Sequence, residues 1–235
     1  MKSVWHTQLS KVKRLVKVGM GADLFMREQI VIRKERHGSD YGGWWIHPDR
    51  LKPTSTVYSF GVGTDISFDV SLIRALGVQV HAFDPTPRSI AWIERQQLPS
   101  RFRFHPIGLA DFDGEQEFQP PAHEDHVSYS IVGAREGRAA VRGSVRTLAS
   151  IMSMLEHDRI DLLKMDIEGA EYPVLRDILS SGIAVEQILV EFHHGHHGLT
   201  ANQTREAVAG LNQAGYRIFS VSPNGPEYSF LYVPA

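Results

Sequence analysis

From residue 56 onward, the spacing of hydrophobic and polar positions switches between the repeat typical of a strand and the repeat typical of a helix. Residues 56–60 predict a buried strand, residues 61–65 a turn, and residues 66–76 a helix that ends at Gly77. Residues 78–83 predict a second strand. Strands joined by helices of this length need right-handed crossovers, so we expect a parallel sheet with helices on both faces. Ligands of such sheets bind at the carboxyl ends of the strands.

The same alternation continues to the end of the chain. Thr86 and Pro87 are typical of a helix start, and this helix is predicted to run to about Gln97. The further predicted elements are a strand at 102–106, a helix from Thr147 to about His157, a strand at 160–165, a helix at 171–180, a strand at 187–192 and a helix from Thr200 to Ala214. Two final β segments, 216–222 and 227–233, flank a hairpin-type turn at 223–225, so the last strand is expected to be antiparallel.

Residues 109–146 interrupt this alternation. They contain Asp113-Gly114, Pro120-Pro121 and a β-like piece at 127–132. Turn-forming pairs between short β segments predict an inserted hairpin region. Such an insertion could shape a substrate pocket.

The first 54 residues are interpreted as a helical and aromatic N-terminal extension. Residues 1–36 carry a net charge of +6, whereas the rest of the chain carries −8. Residues 1–20 predict a basic amphipathic helix, because apolar residues recur there at helical spacing between basic ones; they are Trp5, Leu9, Val12 and Val16. Such a helix could pack on the body of the protein, cap the active site or contact an anionic membrane surface.

Composition limits the classes of function. The chain has 235 residues and is 42% hydrophobic, enough for one main domain, which we place at residues 55–235. The formal charge of −2 provides no global field that would recruit nucleic acid, so partners must be recognised locally. The lack of cysteine excludes a disulfide scaffold, a thiolate zinc site and a cysteine nucleophile. Without an apolar run of roughly 20 residues or a secretory signal, we expect a soluble, cytoplasmic protein.

A turn with two glycines follows the first predicted strand. Gly61 and Gly63 let the backbone approach a ligand, and the next helix offers free N–H groups. The third glycine of a dinucleotide fingerprint would fall at Ile66, which argues against a pyrophosphate ligand. The turn is either a cofactor cradle or a tight turn without a ligand.

Asp84 follows the second predicted strand, beside this turn. Its carboxylate could accept hydrogen bonds from both hydroxyls of a ribose. It could also cap the turn into Pro85-Thr86-Pro87, and the two roles are compatible.

Three ionisable residues alternate along a later apolar segment. Lys164, Asp166 and Glu168 are therefore expected to project to one side of a strand. Buried charges need partners or a purpose, and three of them at the ligand edge of the sheet favour a catalytic site. The alternative is a purely structural Lys164–Asp166 pair.

Four histidines lie within residues 193–197, shortly after Glu191. His193 could be the general base for a substrate hydroxyl, because an unperturbed histidine titrates at about pH 6.5. The segment could also be a solvated loop. A third interpretation is a divalent metal site formed by Asp166, Glu191 and His193.

Together these motifs resemble those of the FkbM family of class I S-adenosylmethionine-dependent methyltransferases. The resemblance covers roughly residues 55–235 and rests on Phe60-Gly61-Val62-Gly63, Phe83-Asp84-Pro85, Gly108-Leu109-Ala110-Asp111 and, most specifically, Leu163-Lys164-Met165-Asp166-Ile167-Glu168-Gly169-Ala170-Glu171. It implies a three-layer, doubly wound α/β (Rossmann-like) fold with a seven-stranded, mostly parallel sheet. It also implies transfer of the sulfonium methyl of S-adenosylmethionine, usually to a hydroxyl oxygen.

The resemblance further implies where the cofactor lies: the methionine moiety over Gly61 to Gly63, the ribose on Asp84 and the adenine near Gly108 and Leu109. The implied cofactor-binding residues are Phe60, Gly61, Val62, Gly63, Asp65, Asp84, Pro85, Gly108, Leu109 and Asp166. Ser59 departs from the pattern, since many class I enzymes carry an acid two residues before the first glycine. Asp166 could replace that acid as the partner of the cofactor's amino group.

We therefore expect in-line methyl transfer to a hydroxyl of a small-molecule, sugar or lipid-linked acceptor. The expected catalytic residues are Lys164, Asp166, Glu168 and His193, with His193 or Asp166 removing or orienting the hydroxyl proton. Residues 40–45 could form an aromatic platform for the acceptor or anchor the extension. Two rival interpretations are a non-catalytic cofactor-binding module that acts through a partner and a nicotinamide-dependent oxidoreductase.

Overall fold

The computed structural model describes residues 24–119, 140–196, 198–223 and 225–234. The predicted basic helix within residues 1–20 and the β-like piece at 127–132 lie outside these ranges. The strands, in chain order, are β1 (Glu35–His37), β2 (Trp44–Ile46), β3 (Thr56–Phe60), β4 (Gln79–Phe83), β5 (Phe102–His105), β6 (Gly108–Leu109), β7 (Gly114–Phe118), β8 (Val141–Arg146), β9 (Ile160–Met165), β10 (Val185–Glu191), β11 (Tyr216–Val221) and β12 (Glu227–Tyr232). The helices are α1 (Ser67–Leu76), α2 (Pro87–Ile93), α3 (Leu148–Met154), α4 (Glu171–Ser181) and α5 (Ala201–Gln213), with a 3₁₀ helix at Pro48–Arg50.

Seven strands form the main sheet in the order β11-β12-β10-β9-β3-β4-β5. The pairs β10–β9, β9–β3, β3–β4 and β4–β5 are parallel, whereas β12 is antiparallel to both of its neighbours. The predicted seven-stranded α/β sheet with an antiparallel last strand is therefore confirmed.

Two apolar layers cover the two faces of this sheet. Tyr58 and Phe60 of β3 face one layer, which is packed by α3, α4 and α5. Val57, which precedes Tyr58 and points to the opposite side of the pleat, faces the other layer, which is packed by α1, α2 and β2. Because β3 is buried on both faces, its side chains form the middle of a three-layer core.

Local sequence explains how two of the helices end and begin. Gly77 ends α1 in the left-handed conformation, with a φ of 65°, as predicted for a glycine at this position. Thr200 begins α5 with a capping box, in which its hydroxyl accepts from the Gln203 N–H and the Gln203 side chain reaches back to the Thr200 N–H.

Two helices end earlier than predicted. Helix α2 ends at Ile93 rather than near Gln97, because Arg95 and Gln96 donate to carbonyls three residues back and so tighten the chain into turns. Helix α3 ends at Met154 rather than near His157, because Glu156 has a φ of 57°, which breaks the helix.

The described part of the N-terminal extension is a β hairpin with a 3₁₀ turn, not an α-helix. Strands β1 and β2 pair antiparallel, and Ile46 is fully buried. Gln187 of β10 exchanges two hydrogen bonds with the His47 backbone, and the Ser229 hydroxyl donates to the Trp45 carbonyl. The hairpin is thereby fixed on the sheet.

The described part of the insertion forms a small second sheet. Strands β7 and β8 pair antiparallel, as the predicted hairpin requires, and β6 joins β8 in parallel. None of the helices in the described ranges is long and apolar enough to cross a membrane.

Candidate active site

The turn after β3 brings its backbone against the loop after β9. Gly61 has a φ of 73°, and a Cβ atom there would lie 1.7 Å from the carbonyl oxygen of Asp166. Gly63 has a φ of 53°, yet a Cβ atom there would meet nothing within 4 Å. Gly61 is therefore required by packing within the protein, whereas the space beside Gly63 is open to a ligand.

The Asp84 carboxylate connects this turn to the turn after β4. Its Oδ2 accepts from the Gly63 N–H at 3.0 Å, and its Oδ1 accepts from the N–H and the hydroxyl of Thr86 at 2.9 and 2.6 Å. A carboxylate has about four acceptor positions, so one remains, on Oδ2. Asp84 thus keeps acceptor capacity on Oδ2 for a ribose hydroxyl.

A cavity of about 700 Å³ opens at this edge of the sheet. All of the residues predicted to bind the cofactor border it, from Phe60 through Asp65 and Pro85 to Asp166. The predicted catalytic residues Lys164 and Glu168 border it as well. The fourth predicted catalytic residue does not, because His193 lies behind the cavity wall.

The cavity has two chemically different halves. The half that carries most of the predicted cofactor residues, here called the cofactor half, is formed by residues 60–65, Asp84 and Gly108–Leu109. It offers backbone groups and the carboxylates of Asp65 and Asp84. The acidic half carries four carboxylates, from Asp166, Glu168, Glu191 and Glu227. The β1–β2 turn, with Tyr41, Trp44 and Trp45, forms a further wall.

Lys164 holds the ends of two neighbouring strands together. Its buried Nζ donates to the carbonyl oxygens of Phe60 and Gly61 at 3.1 and 2.8 Å. The same Nζ lies 3.9 Å from Oδ2 of Asp166 and 5.9 Å from the ring centroid of Trp44. These contacts give Lys164 a structural role beneath the glycine turn.

The loop after β9 does not continue the alternation of the strand. Strand β9 ends at Met165, and Glu168 has a φ of 53°, so the prediction that Lys164, Asp166 and Glu168 project together from one strand is wrong. The two acids still converge, but on a histidine. Nε2 of His193 lies 3.7 Å from Oδ1 of Asp166 and 3.5 Å from Oε2 of Glu168.

Glu171, the first residue of α4, fixes the other side of that histidine. Its fully buried carboxylate lies 2.8 Å from Nδ1 of His193. It also accepts from the N–H groups of Ile167 and Gly169 at 3.2 and 3.0 Å. One buried acid therefore orients both the loop after β9 and the His193 ring.

A model of the methyltransferase FkbM domain matches residues 31–218 of the chain. The chain belongs to this family. The match begins ahead of residue 55, so it includes the β1–β2 hairpin that forms one wall of the cavity.

Two curated relatives carry the name probable methyltransferase-like protein 24. The human protein is 26% identical over 174 residues, which cover 69% of this FkbM chain and 41% of the relative. The rat protein is 28% identical over 155 residues, which cover 65% and 36%. This chain thus spans about two fifths of the length of these relatives. A solved structure of the Methanococcus jannaschii fibrillarin pre-rRNA processing protein is also similar, at 9% identity, 88% and 86% coverage and a TM-score of 0.46.

The pKa of His193 does not suit the general base that the sequence suggested. Burial lowers this pKa, but the hydrogen bond that Nδ1 donates to Glu171 and the charges of Glu171, Asp166 and Glu168 outweigh burial and raise the pKa to about 10. This environment favours the imidazolium form of His193 at neutral pH, and an imidazolium has no lone pair to accept a proton. His193 also does not border the cavity, which is a second argument against its role as general base.

Asp166, Glu191 and His193 do come together as predicted for a metal site. One ligand atom from each lies within 4.8 Å of the others. Burial, followed by the charge of Asp166, raises the pKa of Glu191 to about 8, and burial also raises the pKa of Glu227. The acidic half thus concentrates negative charge, which bound protons or nearby cations must balance.

Asp69 and Glu227 are among the cavity-wall side chains that sequence reasoning missed as site residues. Tyr41 also borders the cavity and belongs to the segment 40–45, for which an aromatic platform was one of two interpretations. Asp69 could have been noticed, because it precedes the buried Leu72 and Ile73 by three and four residues and so lies on the buried face of α1. Nothing in the spacing around Glu227 distinguishes it from a strand-edge acid.

Proposed function

We propose that this FkbM domain is an S-adenosylmethionine-dependent methyltransferase that methylates a hydroxyl of a small-molecule, sugar or lipid-linked acceptor. The observation that carries the proposal is one cavity in which an open glycine turn and a ribose-capable acid adjoin a cluster of carboxylates. When bound, S-adenosylmethionine supplies an electrophilic methyl group on its sulfonium.

The cofactor half fits a nucleoside with a charged tail. Gly63 leaves room for the ligand, and Asp84 keeps one acceptor position for a ribose hydroxyl. Gly108 and Leu109, both buried, offer a narrow apolar surface for an adenine. The turn carries Ile66 where a dinucleotide fingerprint has its third glycine, which argues against a pyrophosphate ligand.

In the acidic half, we assign the acceptor proton to Asp166. Asp166 borders both halves, because its backbone abuts Gly61 and its side chain lies in the acidic cluster. His193 and Lys164 lie within 4 Å of its two oxygens and hold the carboxylate in place. Asp166 would orient the hydroxyl and take its proton as the methyl group is transferred, and Glu168, Glu191 and Glu227 would hold neighbouring hydroxyls of a polar acceptor.

A divalent cation at Asp166, Glu191 and His193 is the competing use of the acidic half. Coordination there would displace the Nε2 proton of His193, which the carboxylates stabilise. We therefore assign the positive charge of the cluster to the imidazolium. Treatment with a chelator followed by added magnesium or manganese tests this choice: unchanged turnover supports it, and metal-restored turnover contradicts it.

The proposed reaction is tested with methyl-labelled S-adenosylmethionine and a panel of hydroxylated sugars, phenols and lipid-linked acceptors, followed by mass spectrometry. Asp166→Asn should lower turnover about 10²- to 10⁴-fold, because it removes proton acceptance and keeps the side-chain volume. Its affinity for S-adenosylhomocysteine should change little. Binding of the cofactor with no methyl transfer to any acceptor would favour the non-catalytic module.

A further inference from the structure

A buried acid beneath the glycine turn has no partner for one of its oxygens. Asp69, in the first turn of α1, is 2% exposed and borders the cavity. Neither its Oδ1 nor the hydroxyl of Ser59 makes a hydrogen bond of good geometry within the described residues, although the hydroxyl is close enough to favour the charged carboxylate. A buried carboxylate oxygen without a partner costs stability, so its presence calls for an explanation.

The residues around Asp69 place it next to the part of the cavity that would receive the methionine moiety of the cofactor. Ser59 pairs with Lys164 across β3 and β9, and both lie on the face of the sheet that α1 covers. Two charged groups act on the Asp69 carboxylate: Lys164 attracts its charge and Asp65 repels it. Burial outweighs the attraction of Lys164 and the nearby Ser59 hydroxyl, and it raises the pKa of Asp69 to about 6.

We propose that Asp69 binds the α-ammonium group of the cofactor's methionine moiety. This inference rests on the proposed function and deepens it. Ser59 occupies the strand position where an acid was expected, and Asp69 approaches the same place from the helix. Rotation about the final side-chain bond of Asp69 is soft, so Oδ1 can turn toward the cavity.

Asp69 fits this role better than Asp166, which the sequence suggested as the replacement. Both oxygens of Asp166 already have a cation within 4 Å, from Lys164 and His193. Within the described residues, Oδ1 of Asp69 has only the poorly aligned Ser59 hydroxyl beside it, so a ligand ammonium would satisfy it. The assignment leaves Asp166 for the acceptor.

The test compares two ligands that differ in the amino acid portion. S-adenosylhomocysteine carries the ammonium, whereas 5′-methylthioadenosine lacks the whole amino acid portion. Asp69→Asn should weaken S-adenosylhomocysteine binding about 10- to 100-fold, the usual effect of losing a charged hydrogen bond, and leave 5′-methylthioadenosine within about twofold. Asp158→Asn is the matched control, since it makes the same substitution at an exposed position away from the cavity, and both ligands should then bind as before.

The outcomes separate this inference from the proposed function. No binding of S-adenosylhomocysteine to the wild-type domain would contradict the proposed function itself. If the wild-type domain binds S-adenosylhomocysteine but Asp69→Asn affects both ligands equally, or affects neither, the role of Asp69 is overturned. The proposed function is then untouched.

A measurement on the wild-type domain covers the case in which Asp69→Asn does not fold. Calorimetry at pH 6 in two buffers of different ionisation enthalpy reports protons released on binding. S-adenosylhomocysteine should release more protons than 5′-methylthioadenosine, because an ammonium beside Asp69 favours its charged form. Equal release by the two ligands would overturn the inference.

Discussion

Glu171 Oε1 and His193 Nδ1 lie 2.8 Å apart, and the glutamate is fully buried. This pair joins the start of α4 to the end of β10, and it keeps His193 charged beneath the acidic half of the cavity. Because a buried charge is stable only with its partner, each member depends on the other.

Replacing Glu171 tests this dependence. Glu171→Gln should lower the free energy of unfolding by about 2–4 kcal/mol, because it leaves His193 without its buried counter-charge. The pKa of His193, followed by NMR titration of its ring, should fall. Glu206→Gln, on the exposed face of α5, is the control and should change stability by less than about 0.5 kcal/mol. An unchanged His193 titration in Glu171→Gln would contradict the pairing.

The raised pKa of His193 predicts how its contribution to stability changes with pH. The pKa is about 10 in the folded state and ordinarily 6.5 for histidine, so the folded state favours the protonated form. The stabilisation is fully present below about pH 6.5 and is lost as the pH rises toward 10. The difference in unfolding free energy between wild type and His193→Gln should therefore shrink from pH 7 to pH 10. A difference that stays constant over this range would show that His193 is already neutral in the fold.

The two glycines of the turn after β3 should respond differently to the same substitution. Gly61→Ala should cost more than about 3 kcal/mol of stability, since its Cβ would overlap the Asp166 carbonyl. Gly63→Ala meets no atom and should cost about 1 kcal/mol from its positive φ, while the added methyl group occupies ligand space. Thermal denaturation and cofactor titration of both variants check this. A stable Gly61→Ala variant would contradict the close approach of the two loops.

A second set of histidines predicts acid sensitivity. Nδ1 of His81 lies 3.1 Å from Nε2 of His105, and their rings stack. Burial, followed by the charges of His105, His157 and Arg103, lowers the pKa of His81 to about 4. Because the folded value is below 6.5, its contribution to stability is present above about pH 6.5 and declines as the pH falls toward 4. His81→Gln should flatten this decline in urea unfolding curves, and an equally steep decline in the variant would rule out His81 as its source.

Much of the fold could be predicted because local periodicity and global topology agree. Residues 160–165 form β9 as predicted, and Gly77 and Thr200 mark the expected helix boundaries. The meeting of the residues expected to bind the cofactor was also predictable, since parallel strands end at one edge and carry Gly61, Asp84 and Asp166 to it.

The hairpin of β1 and β2 escaped prediction because each strand has three residues, too few to show a period. Its stability comes instead from distant side chains such as Gln187. The role of His193 could not be predicted for a similar reason. Glu171 is 22 residues away in sequence, and the buried contact between them changes the charge of the imidazole.

Isothermal titration of the wild-type domain with S-adenosylhomocysteine and, separately, with NAD⁺ tests the central claim most directly. The geometry of the cofactor half predicts saturable binding of S-adenosylhomocysteine and no binding of NAD⁺. Asp84→Ala should weaken S-adenosylhomocysteine at least about tenfold through the loss of a charged ribose contact, whereas the exposed control Asp158→Ala should not. Binding of NAD⁺ without binding of S-adenosylhomocysteine would contradict the account.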